Sequence, residues 1–143
     1  MAKKLEILIV CANFYEEITD NLLEGVKNAL KGEKVTYEII TVPGALEIAP
    51  AIKRANEVAK FDGYIALGCI IRGETYHFEV VSNESARALT DLAIHHNIMS
   101  GNGILTCENR QQAIVRADPM QKDKGGEAAH ALLSLLDING KKK

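Results

Sequence analysis

Gly63-Tyr64-Ile65-Ala66-Leu67-Gly68-Cys69-Ile70-Ile71, then Arg72-Gly73-Glu74-Thr75, then a stretch from about Tyr76 to His96, decide the fold of this chain. The first block reads as a strand and the second as a loop. In the third, Phe78, Val81, Leu89 and Leu92 form an apolar stripe at helical spacing. Glu84, Arg87 and Asp91 lie on another face, spaced for surface ion pairs.

Working outward, Leu5 to Cys11 is near-continuously apolar, the pattern of a strand buried on both faces of a parallel sheet. Ile18 to Lys31 carries apolar residues at Ile18, Leu22, Val26, Ala29 and Leu30, and Gly32 ends it. Val35 to Val42 is β-branched and strand-like, and Pro43-Gly44 breaks it. A second helix is expected from near Leu46–Glu47 to about Lys60, a start that keeps Pro50 in the first turn. Gly103 to Cys107 reads as a strand, Asn109 to Ala117 as a short helix stopped before Asp118-Pro119, and Glu127 to Leu136 as the last helix. Ala129, Leu132, Leu133 and Leu136 form its stripe. Ala128, Ala131 and Leu135 widen that stripe enough to predict burial by a partner subunit as well as by its own core.

The order βαβαβαβαα specifies an α/β fold: a single-domain, open parallel sheet of about four strands, flavodoxin-like, with helices on both faces. One domain spans 1–143, ending in a short lysine-rich tail, Lys141-Lys142-Lys143. Such sheets bind ligands at the carboxyl ends of strands where the strand order reverses. The loops expected to meet there are Asn13-Phe14-Tyr15 and Arg72-Gly73-Glu74-Thr75.

Composition narrows the partners. With 143 residues, 47% hydrophobic and 25% charged, the chain needs neither disulfide nor metal to close a core. A net charge of −2 excludes an electrostatic footprint for nucleic acid. Three cysteines without a close pair fit a reducing cytosol, hence a cytoplasmic location. Lys3-Lys4 before the apolar run Leu5 to Ala12 faintly resembles a signal peptide. Glu6 interrupts the run and no small-residue cleavage site follows, so it reads as a strand. No apolar stretch approaches the ~20 residues that span a bilayer, so no membrane partner is expected.

Around the decisive loop the residue types suggest chemistry. Gly73 lets backbone approach a ligand, and Thr75 stands where an N-cap would. Phe78 stands three residues on, where a capping box would need Glu or Gln, which leaves the first helical N–H groups for an anion. An ordinary strand–helix turn fits the same residues, and the Glu74 charge opposes an anion unless it points away. His77 in the first turn is either a proton carrier or a surface histidine. His95 and His96 point about 100° apart, a poor metal pair, and His130 has no evident partner. Phe14 is either a platform for a flat ring or a lid on the core. Cys11, Cys69 and Cys107 fall near strand carboxyl ends, match no zinc motif, and read as buried structural thiols. No metal site and no cofactor are expected.

The run Gly68 to Phe78 resembles the Gly-x-x-Ile-Arg-Gly-x-Thr-x-His-Phe signature of the lumazine synthases. The resemblance continues through Pro43-Gly44-Ala45-Leu46-Glu47-Ile48, Asn102-Gly103-Ile104-Leu105-Thr106, Arg116-Ala117 and Lys124-Gly125-Gly126-Glu127-Ala128-Ala129, covering nearly the whole chain. It implies a cofactor-free transferase of riboflavin biosynthesis, condensing 5-amino-6-(D-ribitylamino)uracil with 3,4-dihydroxy-2-butanone 4-phosphate to give 6,7-dimethyl-8-ribityllumazine, phosphate and water. It also implies roles. Phe14 stacks on the pyrimidine, Ala45, Leu46 and Glu47 hold the ribityl chain, and Cys69, Ile70, Ile71 and Asn102 line the ring site. Glu74 and Thr75 bind phosphate through backbone N–H groups, and His77 transfers protons. Arg116 reaches the phosphate from a neighbouring subunit, with Lys124 and Glu127 close by, Glu127 orienting His77.

The implied assembly is a pentamer or a multiple of pentamers with sites shared between neighbours, and riboflavin synthase is an implied partner. Leu46, Asn102, Tyr15 and Met120 depart from the residues most frequent in the family, as Asn102 does in standing where Phe is common. The N-terminal strand that many members lend to a neighbour is expected to be missing or very short. A flavodoxin would need a Gly/Ser/Thr-rich loop after the first strand, where this chain has Ala12-Asn13-Phe14-Tyr15. A phosphoacceptor domain would need Asp at the end of the third strand, where Gly68 and Cys69 stand. A non-catalytic lumazine or flavin carrier of the same fold is the remaining alternative, against which His77 and Arg116 argue.

Overall fold

A computed structural model describes residues 4–138. Its core is a four-stranded parallel sheet in the order β2-β1-β3-β4, formed by β1 (Leu5–Ala12), β2 (Val35–Val42), β3 (Gly63–Ile71) and β4 (Ser100–Cys107). The expected open parallel α/β sheet is the one observed. The strands alternate with α1 (Glu16–Leu30), α2 (Ile48–Val58) and α3 (His77–His96), and α4 (Arg110–Ala117) and α5 (Lys124–Asp137) follow β4. The lysine-rich tail lies outside the described residues.

Central strands carry the burial that their composition dictates. Ile7, Ile9, Ile65 and Leu67 are completely buried, each side chain contributing about 1.5–3 kcal/mol. Together with Leu22 and Val26 of α1 and Ala129 and Leu132 of α5, they form the larger core on one face of the sheet. Leu8, Val10, Tyr64 and Ala66 point the other way and pack with Ile48 and Ile52 of α2 and Leu89 and Leu92 of α3. Adjacent strand residues thus serve opposite faces, and helices cover both.

Four boundaries that differ from the sequence reading have local reasons. Ala45–Glu47 forms a 3₁₀ turn, so α2 begins at Ile48, and it stops at Val58, where the Ala59 N–H donates to the Ala55 carbonyl at 2.9 Å. β4 starts at Ser100, because Tyr64 of β3 already pairs there. The last helix starts at Lys124, three residues before the expected Glu127. Asp123, with φ +49°, caps it by accepting from the Gly126 N–H at 3.2 Å. Its first turn contains Gly125 and Gly126, which disfavour helix in isolation. Packing explains them: a Cβ on Gly125 would strike the Leu22 backbone of α1, and one on Gly101 would strike the Ala128 carbonyl. Glycine is what lets α5 lie so close to its neighbours.

Candidate active site

β1 and β3 are neighbours at the point where the strand order reverses, so the loops leaving their carboxyl ends meet. The first loop is pinned at both ends. The Asn13 N–H donates to the Val42 carbonyl at 3.2 Å, and the buried Thr19 hydroxyl donates to the Ala12 carbonyl at 2.8 Å. This presents Phe14 outward, 75% exposed, its ring edge-on to Tyr15 at 4.9 Å between centroids. The reading of Phe14 as a lid on the core is therefore wrong, while an exposed aromatic face suits a planar ligand.

Between the loops opens a cleft of about 340 Å³, the size of a small-molecule site. Phe14, Ala45, Leu46, Glu47, Cys69, Ile70, Ile71 and His77 line it, gathering eight of the expected residues from four segments of the chain. Cys69 offers this wall an uncharged thiol, pushed up to about 12 chiefly by burial and then by the neighbouring Cys107. Burial likewise raises Cys107, and it raises Cys11 to about 11 with help from Asp20. All three cysteines are buried and free, as expected of structural thiols.

The loop from β3 to α3 is exposed and carries Glu74 and Thr75 at the rim, outside the lining of the cleft. The N-cap position is Tyr76, one residue after the expected Thr75. The Thr75 hydroxyl instead accepts from the His77 N–H at 3.3 Å, and the Glu79 and Val80 N–H groups both donate to the Tyr76 carbonyl. Several donors of the first turn are thus engaged locally, so an anion here would rely on the loop's own N–H groups and on the positive end of the helix.

The other expected residues lie elsewhere. A second cleft, about 360 Å³, runs along the outer edge of β4 and is lined by Asn102, Arg116, Lys124 and Glu127, with Ile104 and Thr106 between them. Among the described residues none lines both clefts. Arg116 is half-buried and donates to the Gln112 carbonyl at 3.1 Å, and Lys124 pairs with Glu127 at 3.1 Å. The Asn102 side chain accepts from the Ile104 N–H at 2.9 Å. Within one chain, then, Glu127 and His77 belong to different clefts. Among the described residues no group of three or more His, Cys, Asp or Glu is placed to hold a metal ion, and no helix is long and apolar enough to cross a membrane.

Residues 4–139 match the family model of 6,7-dimethyl-8-ribityllumazine synthase. The chain belongs to that family. It is 55% identical over 140 residues to the 6,7-dimethyl-8-ribityllumazine synthase of Bartonella henselae, covering 96% of this chain and 90% of that one. It is 52% identical to the enzyme of that name from Agrobacterium fabrum, over 96% of this chain and 97% of the relative. A third, from Sphingopyxis alaskensis, is 56% identical, with coverage of 92% and 93%.

The positions that depart from the lumazine synthase pattern fall where they touch a cleft or solvent. Leu46 and Tyr15 line the first cleft, Asn102 lines the second, and Met120 is 90% exposed in the turn before α5. Three residues of the first cleft, Tyr15, Gly44 and Val81, were not among the expected substrate-binding residues. Val81 lay on the apolar stripe of α3 and read only as core. A further network had no signal at all: Arg72 pairs with Glu79 and with Glu108, which is 36 residues away in sequence.

Proposed function

We propose that this chain is a cytoplasmic 6,7-dimethyl-8-ribityllumazine synthase. It condenses 5-amino-6-(D-ribitylamino)uracil with 3,4-dihydroxy-2-butanone 4-phosphate and releases phosphate and water, the penultimate step of riboflavin biosynthesis. The observation that carries the reading is the convergence of an exposed Phe14, the Ala45–Glu47 turn, the Cys69–Ile71 wall and His77 on one cleft at the strand carboxyl ends.

In this proposal Phe14 stacks on the pyrimidine, Ala45, Leu46 and Glu47 hold the ribityl chain, and Cys69, Ile70 and Ile71 line the ring pocket. Glu74 and Thr75 hold the phosphate through backbone N–H groups. The amine attacks the ketone to form an imine, phosphate leaves, and the ring closes. Holding both reactants together replaces much of a bimolecular barrier, and His77 moves the protons. Phosphate leaves readily once its charge is neutralised, the task assigned to Arg116.

Because Arg116, Asn102, Lys124 and Glu127 line the other cleft, the proposal joins that cleft to the first cleft of a second copy. The complete site then sits at a subunit interface of a pentamer or a multiple of pentamers. Val80 and Ile94, 41% and 72% exposed on nearly the same side of α3, and Leu135, 40% exposed on α5, are apolar surface that assembly would cover. Riboflavin synthase is the partner enzyme expected to use the product.

The test is turnover by the purified protein, given both substrates, chelator and no added cofactor. The lumazine product is expected. Activity lost to chelator and restored by a metal would refute the cofactor-free mechanism, and ligand binding without turnover would leave the carrier reading.

A further inference from the structure

Arg72 is the last residue the sheet controls before the loop that carries Glu74, Thr75 and His77. Its N–H donates to the Cys107 carbonyl at 2.9 Å, continuing the β3–β4 ladder by one bond. Its guanidinium is then fixed from three sides. Nε donates to Glu108 Oε1 at 2.8 Å, a terminal nitrogen donates to Glu79 Oε2, and the group lies 4.3 Å from the centroid of the Phe78 ring. A planar, rigid fork stacked on an aromatic face is an arrangement that lysine cannot reproduce. Phe78 in turn packs against Ala45, Ile70 and Val81, three residues of the first cleft.

Glu79 gives this clamp a consequence. It is the acidic side chain in the first turn of α3. A bare carboxylate there would favour the helix itself but oppose any second anion at the same end. The Arg72 pairing holds Glu79 below the usual carboxylate range, so the carboxylate keeps its charge, and the guanidinium, shared with Glu108, offsets part of it.

We propose that Arg72 is a positioning residue for the phosphate-bearing substrate, offsetting the Glu79 charge at the start of α3 and bracing Phe78 against the wall of the first cleft. This rests on the lumazine synthase reading above, which puts phosphate at the Glu74–Thr75 loop.

The experiment uses intact assembled protein and two readouts. One is the affinity for inorganic phosphate, measured by titration calorimetry. The other is steady-state kinetics with both substrates. Arg72→Gln should weaken phosphate binding and raise KM for the phosphate substrate by roughly three- to tenfold at low salt, with kcat and the KM for the uracil changing less. The effect should shrink as ionic strength rises, as a purely structural defect would not. Arg72→Gln combined with Glu79→Gln should recover most of the loss, and Glu79→Gln alone should tighten phosphate binding.

Unchanged phosphate affinity in Arg72→Gln, or a double variant as weak as the single one, overturns the proposal. If Arg72→Gln fails to assemble, Glu79→Gln decides: unchanged phosphate affinity there overturns it too. A wild-type protein that binds phosphate but makes no lumazine refutes the enzymatic reading instead, and the phosphate titrations still report on Arg72.

Discussion

Mixing two inactive variants tests the division of the site directly. His77 lines the cleft between β1 and β3, Arg116 lines the cleft along the edge of β4, and the two linings share no residue. If one working site takes the first cleft of one subunit and the second cleft of its neighbour, then His77→Ala and Arg116→Ala damage different halves. Equal amounts of the two, dissociated and reassembled, place intact His77 opposite intact Arg116 at roughly one interface in four, since each half is intact with probability one half in a closed ring of heterologous contacts. The expected activity is therefore about a quarter of the wild-type value above the sum of the separate variants. Lumazine formation gives the rate, and native mass spectrometry of differently tagged variants gives the extent of exchange. Full exchange without recovered activity would refute the shared site and require both residues to act within one chain.

Four further outcomes are expected. His77→Ala should slow turnover by roughly 10²-fold while leaving residual activity from substrate positioning; a rate within twofold of wild type would remove His77 from proton transfer. Arg116→Ala should chiefly raise KM for the phosphate substrate, and an unchanged KM would contradict its phosphate contact. For the thiols, a shift of Cys11 from 9.0 to about 11 leaves roughly a hundredfold less thiolate near pH 8, so native protein should resist alkylation that denatured protein undergoes, as mass spectrometry would show. Since the folded pKa is raised, stability is fully present below about 9 and falls as pH rises toward 11, where the unfolded chain has released protons that the folded one keeps; an unfolding midpoint that did not fall between pH 8.5 and 10.5 would contradict this.

Much of this was legible in the sequence because the deciding signals are local. The apolar runs of β1 and β3 announce strands covered on both faces, and both proved buried almost throughout. Once the order was read as parallel, the reversal between β1 and β3 placed Phe14 and the Arg72–Thr75 loop together without further information. The errors arose where tertiary packing overrides propensity. The last helix was expected to begin at Glu127, yet the tight contact of α5 with α1 makes Gly125 and Gly126 part of its first turn. Thr75 looked like an N-cap, but the chain takes one more residue to enter α3. The Arg72–Glu108 pair has no spacing that a linear reading can detect, since the parallel register of β3 and β4 alone brings the two together.

The strand order also bears on why a single subunit would be incomplete. The reversal that creates a crevice lies between β1 and β3, in the interior of the sheet. Arg116, Lys124 and Glu127 are delivered by α4 and α5, which follow β4, and β4 is an outer strand with one edge unpaired by any other strand among the described residues. Their cleft is therefore separate from the one at the molecule's own reversal point. The cations there are Arg116, which donates to the Gln112 carbonyl, and Lys124, whose surface pair with Glu127 is worth little to stability. Facing a phosphate across an interface, the same groups would be desolvated and would neutralise a leaving group. In this arrangement assembly becomes the step that completes the catalyst, and loss of the interface should cost activity before it costs the fold of the subunit.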